Sequence, residues 1–147
     1  MLMTFRHIYP VQLRFSDVDQ LGHVNNSVYF SLYDVAKTAY LSAALGEGMD
    51  YRRSSLVIAN INANFFVPVF FTDHIVIETA VIHLGHKSFT LLQRAVCDAS
   101  GEVKCECRTV MVAYDVEAGR SFPLLAAWRE ALARFEACTV EELERGR

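Results

Sequence analysis

A single change in hydrophobic periodicity divides this sequence and limits the folds it can adopt. Residues 26–45 form an apolar segment rich in alanine, leucine and aromatic residues, and Asp34 and Lys37 are almost its only charges. The segment predicts a helix of about 30 Å, capped by Asn25 or Asn26 and ended by Gly46 in a left-handed conformation. Because it is apolar on most faces, we expect this helix to be buried on several sides.

After the helix, apolar residues recur at every second position, which is typical of strands. Strands are predicted over residues 56–66, 74–84, 87–98 and 103–115. The turn signals between them are Pro68 with Thr72 and Asp73, then Gly85, then Ser100 with Gly101. Since short turns join antiparallel neighbours, we expect these strands to form one antiparallel sheet.

Three shorter elements complete the predicted order. Residues 8–16 predict a half-buried strand, whose beginning Pro10 places at an edge or a bulge. Residues 123–135 predict an amphipathic helix, and Thr139 followed by Glu142 has the capping-box spacing of a short final helix. Together the elements predict one α+β domain over residues 1–147, with a long central helix wrapped by a curved antiparallel five-stranded sheet.

Charge and cysteine content argue against several classes of function. The net charge is −3, and nucleic-acid binding needs a basic face, so we expect no nucleic-acid partner. Local positive charge at Arg52 and Arg53, or at His86 and Lys87, can still hold a phosphorylated ligand. The four cysteines form no C-x-x-C pair and have no metal-ligand spacing with histidine, so no metal or redox cofactor is expected.

The sequence also indicates where such a protein is found. Its start lacks the long apolar run of a signal peptide, and no stretch is long and apolar enough to span a bilayer. We therefore expect a cytoplasmic protein with no membrane partner. Its cysteines are then reduced thiols that pack as small buried hydrophobic residues.

The densest group of polar residues lies where the first strand meets the long helix. It contains Asp17, Asp19, Gly22, His23, Asn25 and Asn26. A helix start presents unpaired backbone N–H groups and a partial positive charge, which stabilise an anion held there. A carboxylate beside such donors is the usual arrangement for acyl transfer, so the junction predicts the active site of an acyl-thioester hydrolase.

Four segments carry a resemblance to a known family. They are Arg14-Phe15-Ser16-Asp17-Val18-Asp19 with Gly22-His23-Val24-Asn25-Asn26 and Tyr29-Phe30; Asn64-Phe65-Phe66-Val67-Pro68 followed by Asp73; Leu84-Gly85-His86-Lys87-Ser88-Phe89; and Thr109-Val110-Met111-Val112-Ala113-Tyr114-Asp115 before Gly119-Arg120. With this order of elements, residues 9–128 resemble the hotdog-fold thioesterases of the 4-hydroxybenzoyl-CoA thioesterase type.

The resemblance implies a hotdog fold and hydrolysis of an acyl-CoA to a free acid and coenzyme A. It implies that Asp19 is the catalytic carboxylate and that the backbone N–H of Asn26 is the oxyanion donor. It further implies that the turn with Lys87 and Ser88 contacts coenzyme A. The implied assembly is a homodimer or homotetramer, in which two sheets form one layer and two protomers share each pocket. The segment Phe66-Val67-Pro68 departs from the commoner family pattern, so the acyl group is not implied.

Several individual roles stay open from the sequence. Asp19 is either a base acting on water or a direct nucleophile. His23 is either a general base or an orienting group, and we favour the positioning role. Asn25 and Asn26 are helix caps whose backbone N–H groups point outward, which suits substrate binding and catalysis. Asp17 is expected to be structural support that pairs with Arg14 or caps the turn.

A row of asparagines indicates a contact between subunits. Asn60, Asn62 and Asn64 share one face of a predicted strand that otherwise suits a core. Because an edge strand invites pairing, we expect this face at a dimer interface that lines the acyl pocket, with Asn64 at the substrate. The apolar run over residues 65–71 is expected to be core and interface.

Two rival functions fit the same residues. One is an enoyl-thioester hydratase that uses Asp19 with His23 as an acid–base pair. The other is a non-catalytic module that binds acyl-CoA. Thiol release and double-bond absorbance with crotonyl-CoA distinguish hydratase from hydrolase, and tight binding of thioesters without turnover identifies the module.

Overall fold

A six-stranded antiparallel sheet wraps one long helix in the computed structural model, which describes residues 3–46 and 54–147. The elements in chain order are β1 (His7–Pro10), a 3-10 turn (Phe15–Asp17), α1 (Asn26–Leu45), β2 (Ser54–Phe65), β3 (Ile75–Leu84), β4 (Ser88–Cys97), β5 (Val103–Asp115), β6 (Arg120–Ser121), α2 (Ala126–Phe135) and α3 (Val140–Arg145). The strands lie in the order β1-β3-β4-β5-β2, and β6 pairs with β5. The predicted α+β arrangement is confirmed, and β1 and β2 are the edges of the five-stranded path.

The bounds predicted for the long helix are confirmed, since α1 begins at Asn26 and ends at Leu45. Asn25 is its cap, because the Asn25 Oδ1 accepts the Ser27 N–H at 2.9 Å. Gly46 follows with φ of 75°, a conformation that glycine adopts without strain. Thus the helix start and end have the chemistry that the sequence predicts.

The expectation that α1 is buried on several sides is wrong for the single chain. Its buried residues are Tyr29, Tyr33, Ala36, Lys37, Tyr40 and Leu41. Away from the sheet, the side chains of Phe30 and Val35 are 36% and 51% exposed. One sheet covers only the helix face that packs on it, so α1 keeps an apolar side uncovered. Among the helices within the described ranges, none is long and apolar enough to cross a membrane.

The core has two parts, which follow α1 from its start to its end. Around the first half of α1, the buried cluster includes Val24, Tyr29, Tyr33, Val69, Ile77 and Cys105. Around the second half, it includes Tyr40, Leu84, Phe89, Met111, Leu124, Leu132 and Leu143. The C-terminal helices α2 and α3 therefore close the end of α1, whereas loops surround its start.

The first predicted strand is shorter than expected. The sequence pattern extends it over residues 8–16, but β1 ends at Pro10 and the chain bends into the 3-10 turn. Pro10 has no N–H to continue the ladder, and the Asp17 carboxylate draws the Arg14 N–H into the turn at 2.8 Å. As expected from Pro10, β1 lies at an edge of the sheet.

The strands β2 to β5 agree with the predicted ranges to within two residues at each end. Inside β2, however, a bulge shifts the register between Ile58 and Asn60, which the alternation does not indicate. Leu56 packs against the core before the bulge, and the Phe65 ring lies edge-on to the Tyr29 ring after it, with centroids 5.1 Å apart. Since neighbouring residues face opposite sides, the asparagine row lies on the sheet face away from α1.

The four cysteines are free thiols. Cys105 and Cys107 are buried in the core as small hydrophobic residues, as expected, and Cys97 and Cys138 are partly buried. Burial raises the pKa of the Cys105 thiol to about 11, so this side chain stays protonated at neutral pH.

A buried carboxylate fastens the C-terminal part of the chain to the core. The side chain of Glu136, which follows α2, accepts hydrogen bonds from the Tyr40 hydroxyl, the Arg147 guanidinium and the Val81 N–H, the last at 3.2 Å. The backbone N–H of Arg147 also donates to the Ile82 carbonyl oxygen at 3.0 Å. Glu136 thus joins α1, β3 and the end of the chain at one point.

We predict that Glu136→Ala lowers the free energy of unfolding by about 3 kcal/mol, because it leaves a buried hydroxyl and a buried N–H without an acceptor. Glu144→Ala is the control, because it removes an exposed carboxylate paired with Arg129 and is expected to cost less than about 1 kcal/mol. Urea unfolding followed by far-ultraviolet circular dichroism measures both. Equal losses for the two variants would contradict the proposed importance of the buried network.

Candidate active site

The buried carboxylate of Asp17 fastens the loop between β1 and α1. Its oxygens accept hydrogen bonds from the Arg14 backbone N–H at 2.8 Å and from the Arg14 guanidinium at 3.0 Å. The backbone carbonyl oxygen of Asp17 accepts a hydrogen bond from the N–H of Asn25, the cap of α1, at 2.9 Å. Asp17 therefore pairs with Arg14 and also holds the turn, so it does both things that the sequence left as alternatives.

Asp19 lies in a tight turn directly after this support. Its backbone N–H donates to the His23 carbonyl oxygen at 3.1 Å, and its own carbonyl accepts the Gly22 N–H at 3.1 Å. The Asp19 Oδ1 accepts the Leu21 N–H at 2.8 Å, which orients the carboxylate. The second carboxylate oxygen accepts no hydrogen bond from residues 3–46 or 54–147, so it is available to another donor.

The start of α1 holds one free backbone donor. The Ser27 N–H is bonded to the Asn25 side chain, and the Val28 N–H to the Asn25 carbonyl at 2.9 Å. Within the described part of the chain, the Asn26 N–H has no acceptor. The first turn of α1 also contains no acidic residue, so its partial positive charge is not offset by the helix itself. This is a site suited to an anionic oxygen.

A cavity of about 150 Å³ opens beside Asn26. It is lined by His23, Val24, Asn26 and Tyr29 on one side and by residues 65–68 on the other. The cavity therefore lies between the start of α1 and the connection that follows β2.

Of the three predicted catalytic residues, His23 and Asn26 border this cavity and Asp19 does not. Asp19 belongs to the same turn as His23, since its backbone N–H donates to the His23 carbonyl oxygen. The fold thus brings all three residues to one end of α1, where two of them line the cavity. A carboxylate, an imidazole and a free N–H at a helix start can together polarise a carbonyl group and move a proton.

Comparison with known proteins identifies the family. Residues 13–134 match the family model of the thioesterase-like superfamily. The chain belongs to this superfamily. The resemblance that the sequence motifs carry is therefore confirmed, and with it the thioesterase class.

Individual relatives agree with this membership of the thioesterase-like superfamily. The long-chain acyl-CoA thioesterase FadM of Escherichia coli (strain K12) is 25% identical over 123 residues, which cover 83% of this chain and 93% of that protein. A thioesterase from Thermus thermophilus, solved in complex with coenzyme A and Zn, is 27% identical with a TM-score of 0.79, covering 90% of this chain and 96% of that one.

A third structure supports the hotdog fold alone. A 1,4-dihydroxy-2-naphthoyl-CoA thioesterase from Synechocystis has a TM-score of 0.76 at 18% identity, covering 86% of this chain and 95% of that one. Since the identity is low, this likeness concerns the path of the backbone. The predicted hotdog fold is confirmed.

The predicted coenzyme A residues do not join the site within one chain. Lys87 and Ser88 lie at the turn from β3 to β4, whose flanking residues Leu84 and Phe89 pack with the second half of α1. Lys87 is exposed, and its Nζ lies 3.5 Å from the Ser121 Oγ. Tyr40 and Leu41, which are buried in the same cluster as Leu84 and Phe89, follow Asn26 by 14 and 15 residues, so this turn lies about 20 Å along the helix from the cavity.

Four other residues predicted to bind ligand have separate outcomes. Asn64 lies on the face of β2 away from α1, and its side-chain amide is 3.5 Å from the Asn62 Oδ1. The side-chain oxygen of Asn25 is occupied by Ser27, whose N–H and hydroxyl both donate to it. Arg52 and Arg53 lie outside the described residues. Neither Asn25 nor Asn64 is among the residues that line the cavity.

Tyr29 and Phe65 line the cavity but were not predicted from the sequence as site residues. Tyr29 follows Asn26 by three residues and so lies on the same helix face, a spacing that could have indicated it. Burial raises the pKa of the Tyr29 hydroxyl to about 12, so the ring stays neutral. Phe65 packs edge-on against Tyr29, but only the observed pairing of β2 with β5 shows which face it occupies.

We predict that Asp17→Ala lowers the free energy of unfolding by about 2 kcal/mol, because the Arg14 N–H loses its buried acceptor. The thioesterase activity should fall with it, since the Asp19 turn is no longer fastened. Asp17→Asn is the matched variant: it keeps a side-chain oxygen for the Arg14 N–H and should retain most of the activity. Urea unfolding and steady-state kinetics measure both effects, and an inactive, stable Asp17→Asn would assign Asp17 to the chemistry instead.

Proposed function

We propose that this protein hydrolyses an acyl-CoA thioester to a free acid and coenzyme A, with the thioester carbonyl bound at the start of α1. The observation that carries the proposal is the free N–H of Asn26, a residue that borders the cavity at the positive end of a 20-residue helix. The family membership and the acyl-CoA specificity named for the FadM relative support the same reaction.

In the proposed reaction, the Asn26 N–H donates a hydrogen bond to the carbonyl oxygen of the thioester. Negative charge develops on this oxygen as the tetrahedral intermediate forms, and the helix dipole stabilises it further. One such donor contributes about 3–4 kcal/mol to transition-state stabilisation in other acyl-transfer enzymes. When the intermediate collapses, the C–S bond breaks and the thiolate of coenzyme A leaves.

Asp19 supplies the second component of the proposed reaction, the group that activates water or attacks the carbonyl carbon. The Leu21 N–H holds one of its oxygens at 2.8 Å, which leaves the other to accept a proton from an attacking water. In the alternative route the same oxygen attacks the carbonyl carbon and forms an anhydride, which water then hydrolyses. His23 has a positioning role, because its carbonyl oxygen accepts the backbone N–H of Asp19. His23 also borders the cavity.

We propose that the coenzyme A site is completed by a second protomer. The strand β2 is an edge of the sheet, and Val57, Ile58 and Ile61 on it are about 40% exposed. Antiparallel pairing of two β2 strands would continue the sheet and cover these side chains. It would also place the partner's β3–β4 turn beside the start of α1, since the two protomers run in opposite directions.

The same arrangement gives the asparagine row a role. In the single chain the amides of Asn62 and Asn64 are exposed on the sheet face away from α1. Paired edge strands would put them next to the corresponding residues of the partner, where amide side chains can bond across the two-fold axis. A dimer is therefore the smallest assembly with complete sites.

We predict that Asp19→Asn lowers kcat for acyl-CoA hydrolysis by about 10²–10⁴-fold with little change in KM, because the amide is isosteric but accepts no proton. Asp98→Asn, at the exposed turn from β4 to β5, is the control and should keep wild-type activity. Free thiol release measures both. An Asp19→Asn enzyme with more than half of the wild-type kcat would disprove the assigned role.

We predict that Asp19→Ala and Lys87→Ala complement each other in mixed dimers. Each variant alone should be impaired, the first in kcat and the second in KM. Co-expressed in equal amounts, they form heterodimers with one intact site, so about a quarter of all sites should be wild type at random assortment. Activity equal to the mean of the two separate variants would show that each site lies within one protomer.

A further inference from the structure

A hydrogen bond from a second segment of the chain holds the residues just before α1. The Val24 N–H donates to the Val69 carbonyl oxygen at 2.7 Å, and both residues are buried. Val24 lies between His23, which borders the cavity, and Asn25, the cap of α1. Val69 belongs to residues 66–73, which join β2 to β3 and are called here the connecting segment. The position of the helix start therefore depends on what fixes the connecting segment.

The backbone of Lys104 fixes the beginning of the connecting segment. The β4 neighbours Ala95 and Val96 pair with β5 residues that are two positions apart, so Lys104 between them is the extra residue of a bulge in β5. A bulge takes its extra residue out of the regular ladder. Here the Lys104 carbonyl oxygen accepts the N–H of Phe66 at 2.9 Å and the N–H of Val67 at 3.1 Å. Both acceptor bonds hold residues that line the cavity.

The side chain of Lys104 is buried and lies between two carboxylates. Its Nζ is 2.8 Å from the Glu102 Oε1 and 3.9 Å from the Asp73 Oδ2, and 8% of the side chain is exposed. Asp73 closes the end of the connecting segment. Its Oδ2 accepts the Phe70 N–H at 2.9 Å, and its own N–H donates to the Phe70 carbonyl oxygen at 3.0 Å. Lys104 and Asp73 thus contact the connecting segment at its two ends.

The two carboxylates that pair with Lys104 differ in what else they hold. The Glu102 side chain is 49% exposed before β5, whereas the Asp73 side chain is 21% exposed and bonds the connecting segment. A well-packed apolar residue at the Lys104 position would avoid the cost of burying a charge, so stability alone does not account for this pair. Its effect is geometric, because Val69 lies between the two ends of the segment that Lys104 and Asp73 hold.

We propose that Lys104 and Asp73 are positioning residues for the proposed acyl-CoA hydrolysis, on which this inference rests. They hold Val69 so that its carbonyl oxygen keeps the Val24 N–H, and with it the start of α1, in place. Movement of the helix start would displace the Asn26 N–H from the thioester oxygen that it binds. A displacement of about 1 Å can lower a rate by about 100-fold.

Kinetics of variants at the two carboxylates test the positioning role, with the best hydrolysed of butyryl-CoA, benzoyl-CoA and palmitoyl-CoA as substrate. Asp73→Ala should lower kcat by about tenfold or more with less than about a threefold change in KM, because the displaced donor acts on the transition state. Asp73→Asn keeps an oxygen for the Phe70 N–H and should return kcat to within about threefold of wild type. Glu102→Ala removes the other carboxylate at the same ammonium group and should keep the wild-type kcat. Circular dichroism confirms that each variant is folded at the assay temperature.

Hydrogen exchange at the Val24 amide, followed by nuclear magnetic resonance, tests the structural step by itself. Its protection should fall by about tenfold in Asp73→Ala and stay at the wild-type level in Glu102→Ala. Lys104→Met removes the cation and keeps the backbone carbonyl oxygen, so it should lower both kcat and this protection by about threefold. Lys104→Met decides the question if Asp73→Ala does not fold.

The possible outcomes separate the positioning role from the proposed function. Wild-type kcat in the folded variants of Asp73 and Lys104 would overturn the positioning role while hydrolysis stands. A lower kcat with unchanged protection of Val24 would overturn it too, since the effect would not pass through the helix start. An equal loss of kcat in Glu102→Ala would show a general effect of the charge cluster instead. If the wild-type protein hydrolyses none of the three thioesters, the proposed function fails and the positioning role with it.

Discussion

The hydrogen bond from the Asn25 N–H to the Asp17 carbonyl oxygen, at 2.9 Å, is the constraint on which the candidate site depends. It places the cap of α1 against a loop that the buried Asp17 carboxylate already holds. With Asn25 fixed there, its side chain and carbonyl satisfy the next two amides of the helix. The Asn26 N–H is then the donor left over, on a residue that borders the cavity. The reactivity proposed for the site is therefore a consequence of how the helix is capped.

A free donor at a helix start is costly only when it is buried without water or ligand, since exposed helix ends are solvated. The cavity beside Asn26 is open at the surface of the single chain, so the fold can keep this donor available. The helix is stabilised further along its length, where Tyr33, Ala36 and Tyr40 pack on the sheet. There the Glu136 carboxylate also accepts a hydrogen bond from the Tyr40 hydroxyl. The core anchors the end of α1, and the proposed reaction site lies at its start.

Long periodic elements could be predicted from the sequence. The other features depend on individual hydrogen bonds, on register and on contacts between residues far apart in the sequence. The bounds of α1 and β5 follow from periodicity with caps or turns at each end. The predicted first strand failed beyond Pro10 because a side chain, Asp17, bonded a backbone N–H that a strand would have used. The bulge after Ile58 could not be predicted from the sequence, because one extra residue in β2 leaves the composition of the strand unchanged. The Glu136 network joins residues far apart in the sequence, and no local pattern signals such a contact.

The candidate site likewise has parts that could be predicted from the sequence and parts that depend on the fold. The junction with Asp19, His23 and Asn26 is local in sequence, so its location could be predicted, whereas the cavity wall from residues 65–68 depends on which face of β2 meets α1. For Lys87 the motif is recognisable from the sequence, but the chain holds its turn about 20 Å along the helix from Asn26. In the proposed dimer, a two-fold axis that pairs antiparallel β2 edge strands would bring the partner's Lys87 close to Asn26. In the proposed dimer, the coenzyme site exists only in the assembly, whereas the helix cap that leaves the Asn26 N–H unpaired is built by one chain. Transition-state stabilisation and coenzyme affinity should therefore respond to different surfaces of the protein.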